Sequence, residues 1–200
     1  MKELKESAQA AFDESISVKR QFIKENIELI VEAAKVIADA FNEKKKVLLF
    51  GNGGSAADAS HIAAEFVNRF KLERPPLPAI ALNTDMAVIT SISNDYDYSE
   101  VFSKQLKALA DEGDVVIAIS TSGNSPNVLK AMDVAKKKML KSIAFTGAKG
   151  LKLASKANYA FVVPSENTPR IQETHIILGH VLCQIVEEIL FEAPRTTRKK

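Results

Sequence analysis

His61 and Glu65 stand four residues apart behind the turn Gly51-Asn52-Gly53-Gly54-Ser55, and on a helix that spacing puts an imidazole and a carboxylate on one face. Such a pair suits proton transfer on a sugar. A base takes a proton from carbon while a partner moves one between neighbouring oxygens, and imidazole, with a pKa of about 6.5, does either near neutrality. Gln172, Ile176 and His180 form a second line at the same spacing, and Gly179 beside His180 lets another backbone or a substrate come close. The four side chains His61, Glu65, Gln172 and His180 also suit a divalent metal. Sequence leaves both roles open, and either one requires the two helices to converge.

Two turns offer a place for the rest of a ligand. The apolar run Val47-Leu48-Leu49-Phe50 enters the glycine turn, where bare backbone N–H groups meet the positive end of a following helix. Further on, Ser120-Thr121-Ser122-Gly123-Asn124-Ser125 crowds four hydroxyls ahead of another helix start, a pattern that reads as a phosphate cup. Ser125-Pro126 there supplies an N-cap hydroxyl and a proline at the first helical position. No lysine follows either turn as a nucleoside-triphosphate loop requires. Gly51, Gly53 and Ala56 fit a loose dinucleotide pattern, but the acidic residue that would hold a ribose comes late, at Asp85, and the hydroxyl loop has no place in that scheme. No nucleotide cofactor is expected.

The elements that must position these groups alternate along the chain. Met1 to about Asn42 is helical, with Ile23, Ile27, Ile30, Ala33, Ala34 and Ile37 at spacings of three and four. Short apolar runs follow at Lys46 to Phe50, Ala79 to Leu82, Val115 to Ile119, Ser142 to Phe145 and Tyr159 to Val163. With helices between them, they predict an α/β fold with a five-stranded parallel, doubly wound sheet. In such a sheet ligands bind beyond the carboxyl ends of the strands where strand order reverses, so the first and third strands, which carry the two turns, should meet there. Pro169 opens a last helix, Arg170 to Phe191. The expected organisation is one domain: a helical arm over 1–44, a core over 45–191 and a polar tail over 192–200.

The 200 residues are 46% hydrophobic and 26% charged with a net charge of +2, enough for one core and no electrostatic case for nucleic acid or an anionic membrane surface. Lys136-Lys137-Lys138 reads as solvated surface. The single Cys183, amid apolar neighbours, is expected buried in a reducing, cytoplasmic setting. Both terminal helices carry wider apolar stripes than one sheet face needs, which predicts oligomerisation by helix packing unless the arm covers that surface within one subunit.

Together, GNGGSAADASHIAAEF from Gly51, STSGNS from Ser120 and TPRIQETHIILGH from Thr168 closely resemble the sugar isomerase (SIS) domain family, in the branch that isomerises heptose phosphates. The resemblance spans the chain to about Phe191. It implies a homotetramer of flavodoxin-like subunits converting D-sedoheptulose 7-phosphate to D-glycero-D-manno-heptose 7-phosphate, for the ADP- and GDP-heptose precursors of bacterial surface polysaccharide. It implies Glu65 as general base and His180 as acid-base partner. Sugar contacts are implied at Asn52, Gly53, Gly54, Ser55, Glu65, Asn94, Asp95 and Gln172, and phosphate contacts at Ser120, Thr121, Ser122 and Ser125. In members that hold zinc, His61, Glu65, Gln172 and His180 match the ligands, one Zn²⁺ per subunit. A noncatalytic sister group, which binds the bacterial replication initiator, shares the run from Pro78 to Asp85 but lacks the equivalents of Glu65 and His180. Pro169 departs from some isomerases, which have an acidic residue before Arg170.

Overall fold

The computed structural model of the chain describes residues 1–192, so the expected polar tail lies outside the described residues except for Glu192. Five parallel strands, β1 (Val47–Gly51), β2 (Ala79–Ala81), β3 (Val115–Ser120), β4 (Lys141–Gly147) and β5 (Tyr159–Val163), form one sheet in the order β2-β1-β3-β4-β5. The first strand lies one in from the edge; the chain steps out to that edge at β2, returns across β1 and fills the other side. Strand order therefore reverses between β1 and β3, which pair from Val47 opposite Val115 to Gly51 opposite Ile119.

β1 and β3 are buried along their whole length because helices cover both faces, which is why each reads as a continuous apolar run. Alternate residues divide between two cores. Leu49, Ile117, Ile119, Phe145 and Phe161 face the helices α1 (Lys2–Asn42), α2 (Gly54–Val67) and α7 (Thr168–Phe191). Leu48, Phe50, Val116, Ala118 and Ala144 face α4 (Val101–Leu109), α5 (Pro126–Lys137) and the short α6 (Leu151–Ala154). The remaining helix, α3 (Met86–Asp95), is capped by Asp85, whose carboxylate accepts from the Val88 N–H, and leads through a 3₁₀ turn, Tyr98–Glu100, into α4.

The arm packs within its own subunit on α7 and on the end of the sheet through Phe22, Ile30, Ala33, Ala34 and Ile37. Ile23 and Ile27, read from sequence as part of the same stripe, remain 40% and 47% exposed. They lie on a second apolar face that the subunit itself leaves uncovered. α7 is long and apolar enough to cross a membrane by length and composition, but its apolar side is packed against α1 and α2.

His175 of α7 is fully buried below the carboxyl end of β4, where its Nε2 donates to the Thr146 carbonyl at 3.3 Å. Burial pushes its pKa down from 6.5 to about 4, against the raising effect of that hydrogen bond. The unfolded chain thus takes up the proton first as pH falls. The stability due to neutral His175 is complete above about pH 6.5, is lost progressively toward pH 4, and amounts to about 3 kcal/mol. Denaturant unfolding between pH 7 and pH 4 should show an acid loss of that size that His175→Gln largely removes; parallel pH profiles for the two proteins would contradict it.

Candidate active site

α2 starts directly at the glycine turn. Gly53 adopts φ +54° and Gly123 of the hydroxyl loop φ +60°, the left-handed region that a side chain makes costly. Gly54 serves a different purpose: a Cβ there would sit 2.0 Å from Gln172 Nε2, so the bare glycine lets α7 lay that side chain across the first turn of α2. Two turns on, a Cβ at Gly179 would meet Ile62 Cδ1 at 2.4 Å and Cγ1 at 2.7 Å. The two helices therefore run side by side in close contact through small residues.

That contact brings the chemistry together. His61 Nε2 lies 2.9 Å from His180 Nε2 and 3.2 Å from Glu65 Oε1. One donor atom from each of the three residues lies within 4.8 Å of the others. Atoms each about 2.0–2.2 Å from a tetrahedral zinc ion stand about 3.3–3.6 Å apart, so two imidazoles and a carboxylate with separations of 2.9 Å and 3.2 Å need only small side-chain shifts to hold such an ion. Phe70 stacks on the His180 ring at 5.4 Å with 25° between planes. The pKa of His180 is lowered, first by burial and then by the charge of His61, with Glu65 opposing. It is therefore a neutral imidazole at physiological pH, able to accept a proton or give one.

Gln172 is held over Gly54 at the start of α2, while His180 meets His61 and Glu65 farther along the same pair of helices. Ser55 is buried in the first turn of α2. The hydroxyl loop lies across the reversal of strand order: Ser120 Oγ accepts from the Gly123 N–H at 3.2 Å and stands 3.1 Å from Ser125 Oγ. Ser125 was expected to cap α5, but its hydroxyl makes no cap bond and turns to Ser120 instead. Thr121 holds the loop to the end of β4 through a bond from the Gly147 N–H to its carbonyl at 3.0 Å, and Ser122 is exposed. Beside Thr121, Ser122 and Asn124 opens a cavity of about 170 Å³. On its rim Lys149 pairs with Glu166 at 2.6 Å. A larger cavity, about 420 Å³, lies at the amino end of β4 among Lys136, Lys141 and Lys156, away from these turns. Asn94 and Asp95 end α3, exposed and bonded to each other at 2.8 Å, without a hydrogen bond to either turn.

Three residues absent from the sequence reading belong to this edge. Asn127 and Asn52 exchange paired amide bonds of 2.9 Å each, tying the glycine turn to the first turn of α5, and the Tyr98 hydroxyl donates to Asn52 Oδ1 at 2.9 Å. Asp58, one turn before His61, has a buried Oδ2 with no hydrogen-bond partner in the protein. Burial raises its pKa from 3.8 to about 6, with His61 opposing. Asn127 and Tyr98 come from distant segments with no local pattern to flag them. Asp58 was visible only as a charge on the His61 helix.

A parallel sheet of this order, a hydroxyl loop and a glycine turn at its reversal, and an imidazole–carboxylate cluster farther along the helix that leaves the glycine turn are the features of a sugar-phosphate domain. The SIS domain family model matches residues 12–147. The chain is 67% identical to a phosphoheptose isomerase of Thermodesulfovibrio yellowstonii over 98% of each chain, and 53% identical to that of Aquifex aeolicus over 94% of this chain and 98% of the other. Its fold overlays the phosphoheptose isomerase structure from Neisseria gonorrhoeae with a TM-score of 0.87 at 42% identity, covering 92% of this chain and 99% of that one. The chain belongs to the SIS domain family, among its phosphoheptose isomerases.

The close passage of α7 over Ile62 makes a prediction. In Gly179→Ala the added methyl group must push the helices apart, because a β-branched Ile62 packed in the core has little freedom to yield. We expect a stability loss of about 1–3 kcal/mol and a turnover at least about tenfold lower in the folded fraction. Unchanged turnover would show that the spacing of α2 and α7 does not matter.

Proposed function

We infer that this protein is an aldose-ketose isomerase that converts D-sedoheptulose 7-phosphate to D-glycero-D-manno-heptose 7-phosphate, the entry to nucleotide-activated heptose for surface polysaccharide. The observation that carries this reading is the meeting of Glu65, His61 and His180 within 4.8 Å on the helix that leaves the glycine turn and on its neighbour, in a subunit whose hydroxyl loop is fit for phosphate. The kinship with phosphoheptose isomerases supports it. The sister reading, a noncatalytic regulator, lacks both acid-base positions that this chain holds together.

In this mechanism the Glu65 carboxylate takes the proton from C1 of the open-chain ketose, forming a cis-enediol, and returns it to C2. His180 gives a proton to the C2 oxygen and takes one from the C1 hydroxyl, so the protons balance and C1 becomes the aldehyde. Ser120, Thr121, Ser122 and Ser125 hold the phosphate, with Asn52, Gly53, Gly54, Ser55 and Gln172 on the sugar. Asn94 and Asp95 would reach the sugar from the exposed end of α3. Binding far from the reacting carbons keeps the chain in register for proton transfer.

One Zn²⁺ per subunit belongs to the proposal, with His61, Glu65 and His180 as ligands and Gln172 as the fourth. When bound, it supplies Lewis-acid polarisation of the carbonyl and stabilises enediolate charge. We also propose a cytoplasmic homotetramer. A groove of about 380 Å³ between α1 and α7, lined by Ile16, Phe22, Ile23, Ile177 and Val181, presents almost only apolar surface, which a second copy would cover.

Turnover of sedoheptulose 7-phosphate should fall at least about a hundredfold in Glu65→Gln and in His180→Gln, given the usual contribution of positioned acid-base groups. Undiminished turnover in either would overturn the assignment. Elemental analysis should find about one zinc per chain after loading, and much less in His61→Ala; equal content would exclude this site. Light scattering should give a mass near four chains that drops in Ile23→Lys, since a charge cannot be buried there without a partner; a monomeric wild type would remove the assembly.

A further inference from the structure

The most deeply buried ion pair among the described residues contacts none of the side chains assigned to the sugar, yet it is bonded to the backbone of α2 and seated on α7, the two helices that carry the acid-base groups. Arg74 and Glu187 have side chains only 1% and 2% exposed, with Nε 2.8 Å from Oε1. The guanidinium also donates from Nη2 to the carbonyl of Glu65 at 2.8 Å, and from Nη1 to the carbonyls of Phe66 at 2.7 Å and Pro75 at 3.1 Å. Glu65 and Phe66 lie in the last turn of α2, whose carbonyls have no partner within the helix. Arg74 is their cap. The carboxylate of Glu187 accepts three successive backbone N–H groups, those of Phe70 at 2.9 Å, Lys71 at 2.9 Å and Leu72 at 3.0 Å. Lys71 reaches further, to Gln184 Oε1 of α7, at 2.7 Å.

Stability alone does not account for this arrangement. Burying two opposite charges costs desolvation that their attraction roughly offsets, and apolar residues of similar volume often serve as well or better. Apolar residues could not cap α2, grip three consecutive amides and fasten both to α7. Glu187 lies seven residues after His180 and so on the same face of α7. Of the segment it grips, Phe70 lays its ring against His180. The ion pair thus ends the helix that carries Glu65, anchors the helix that carries His180, and fixes the aromatic ring that orients the imidazole.

We propose that Arg74 and Glu187 are positioning residues for the isomerisation, setting the register between Glu65 and His180 without touching substrate. The proposal rests on the isomerase reading and goes beyond it, because neither residue belongs to the acid-base, phosphate or metal sets. A displacement of about 1 Å in such a pair costs up to about a hundredfold in rate while substrate binding, which depends on the two turns, is spared.

The test compares wild type, Glu187→Gln, Arg74→Lys and Leu140→Ala. Leu140, buried at the far end of the sheet in the other core, provides a control destabilised without disturbing the pair. In Glu187→Gln and Arg74→Lys we expect kcat on sedoheptulose 7-phosphate at least about tenfold lower with KM within about threefold, and faster hydrogen exchange at the amides of residues 70–72. Leu140→Ala should lose stability and keep kcat. Faster exchange at those amides with kcat retained would overturn the proposal, as would an equal fall in kcat in Leu140→Ala. If the ion-pair variants do not fold, Phe70→Leu, which removes only the ring on His180, must lower kcat with KM held, and a normal kcat there would overturn it. An inactive wild type would defeat the isomerase reading itself, a result distinct from an active wild type with unimpaired Glu187→Gln.

Discussion

The site depends on how closely two helices pass. α2 leaves the carboxyl end of β1 and α7 follows β5, and nothing in the sheet itself forces a carboxylate on one to face imidazoles on both. The small residues at two levels do so. Gly54 admits Gln172, and Gly179 admits Ile62, so the helices approach until His61 and His180 stand 2.9 Å apart. The same approach partly removes His180 from water, which together with the neighbouring His61 lowers its affinity for a proton. Packing and electrostatics here have one cause.

A second constraint is topological. Because β1 and β3 are neighbours while the chain runs outward in opposite directions from them, the turns after these strands splay apart and leave a crevice. The paired amides of Asn52 and Asn127 tie the two sides together at its base. On the far side the Ser120 hydroxyl takes the Gly123 N–H and stands against Ser125. The loop is thereby shaped without a ligand, and in the proposed role a preformed cup would lose less entropy on binding than one that must fold around a phosphate.

Much of this was legible in the sequence because it is written locally. Continuous apolar runs gave buried parallel strands, and the β5 bounds, Tyr159 to Val163, agree residue for residue. The spacing of His61 and Glu65 gave a shared face, and the two loops gave a crevice. What was not legible depends on residues far apart in the chain. Ser125 looks like a cap by its position before Pro126, and only the proximity of Ser120 shows why its hydroxyl points elsewhere. Ile23 and Ile27 share a helical period with Ile30, yet α7 and the sheet cover only the side of α1 that carries Phe22 and Ile30 and leave the others outside. Tyr98 and Arg74 carry no local signature; Tyr98 acts through its bond to Asn52, and Arg74 through its pairing with Glu187 and its bonds to the carbonyls of Glu65, Phe66 and Pro75.

The layout also separates two tasks that an isomerase must keep apart. Contacts to a phosphate are equally good before, during and after proton transfer, so they strengthen binding without favouring the transition state by themselves. Acceleration must come from groups whose interaction changes as charge moves, and the acid-base groups proposed for that task stand on α2 and α7, on other elements than the hydroxyl loop at the β3–α5 connection. The loop can be rigid and serve any sugar phosphate of suitable length. The helix pair must be placed to fractions of an ångström, because a proton moves between donors only within hydrogen-bond reach. That difference in tolerance explains why hydroxyls and backbone suffice at one end, whereas the other is held by bare glycines, a stacked aromatic ring and a buried ion pair.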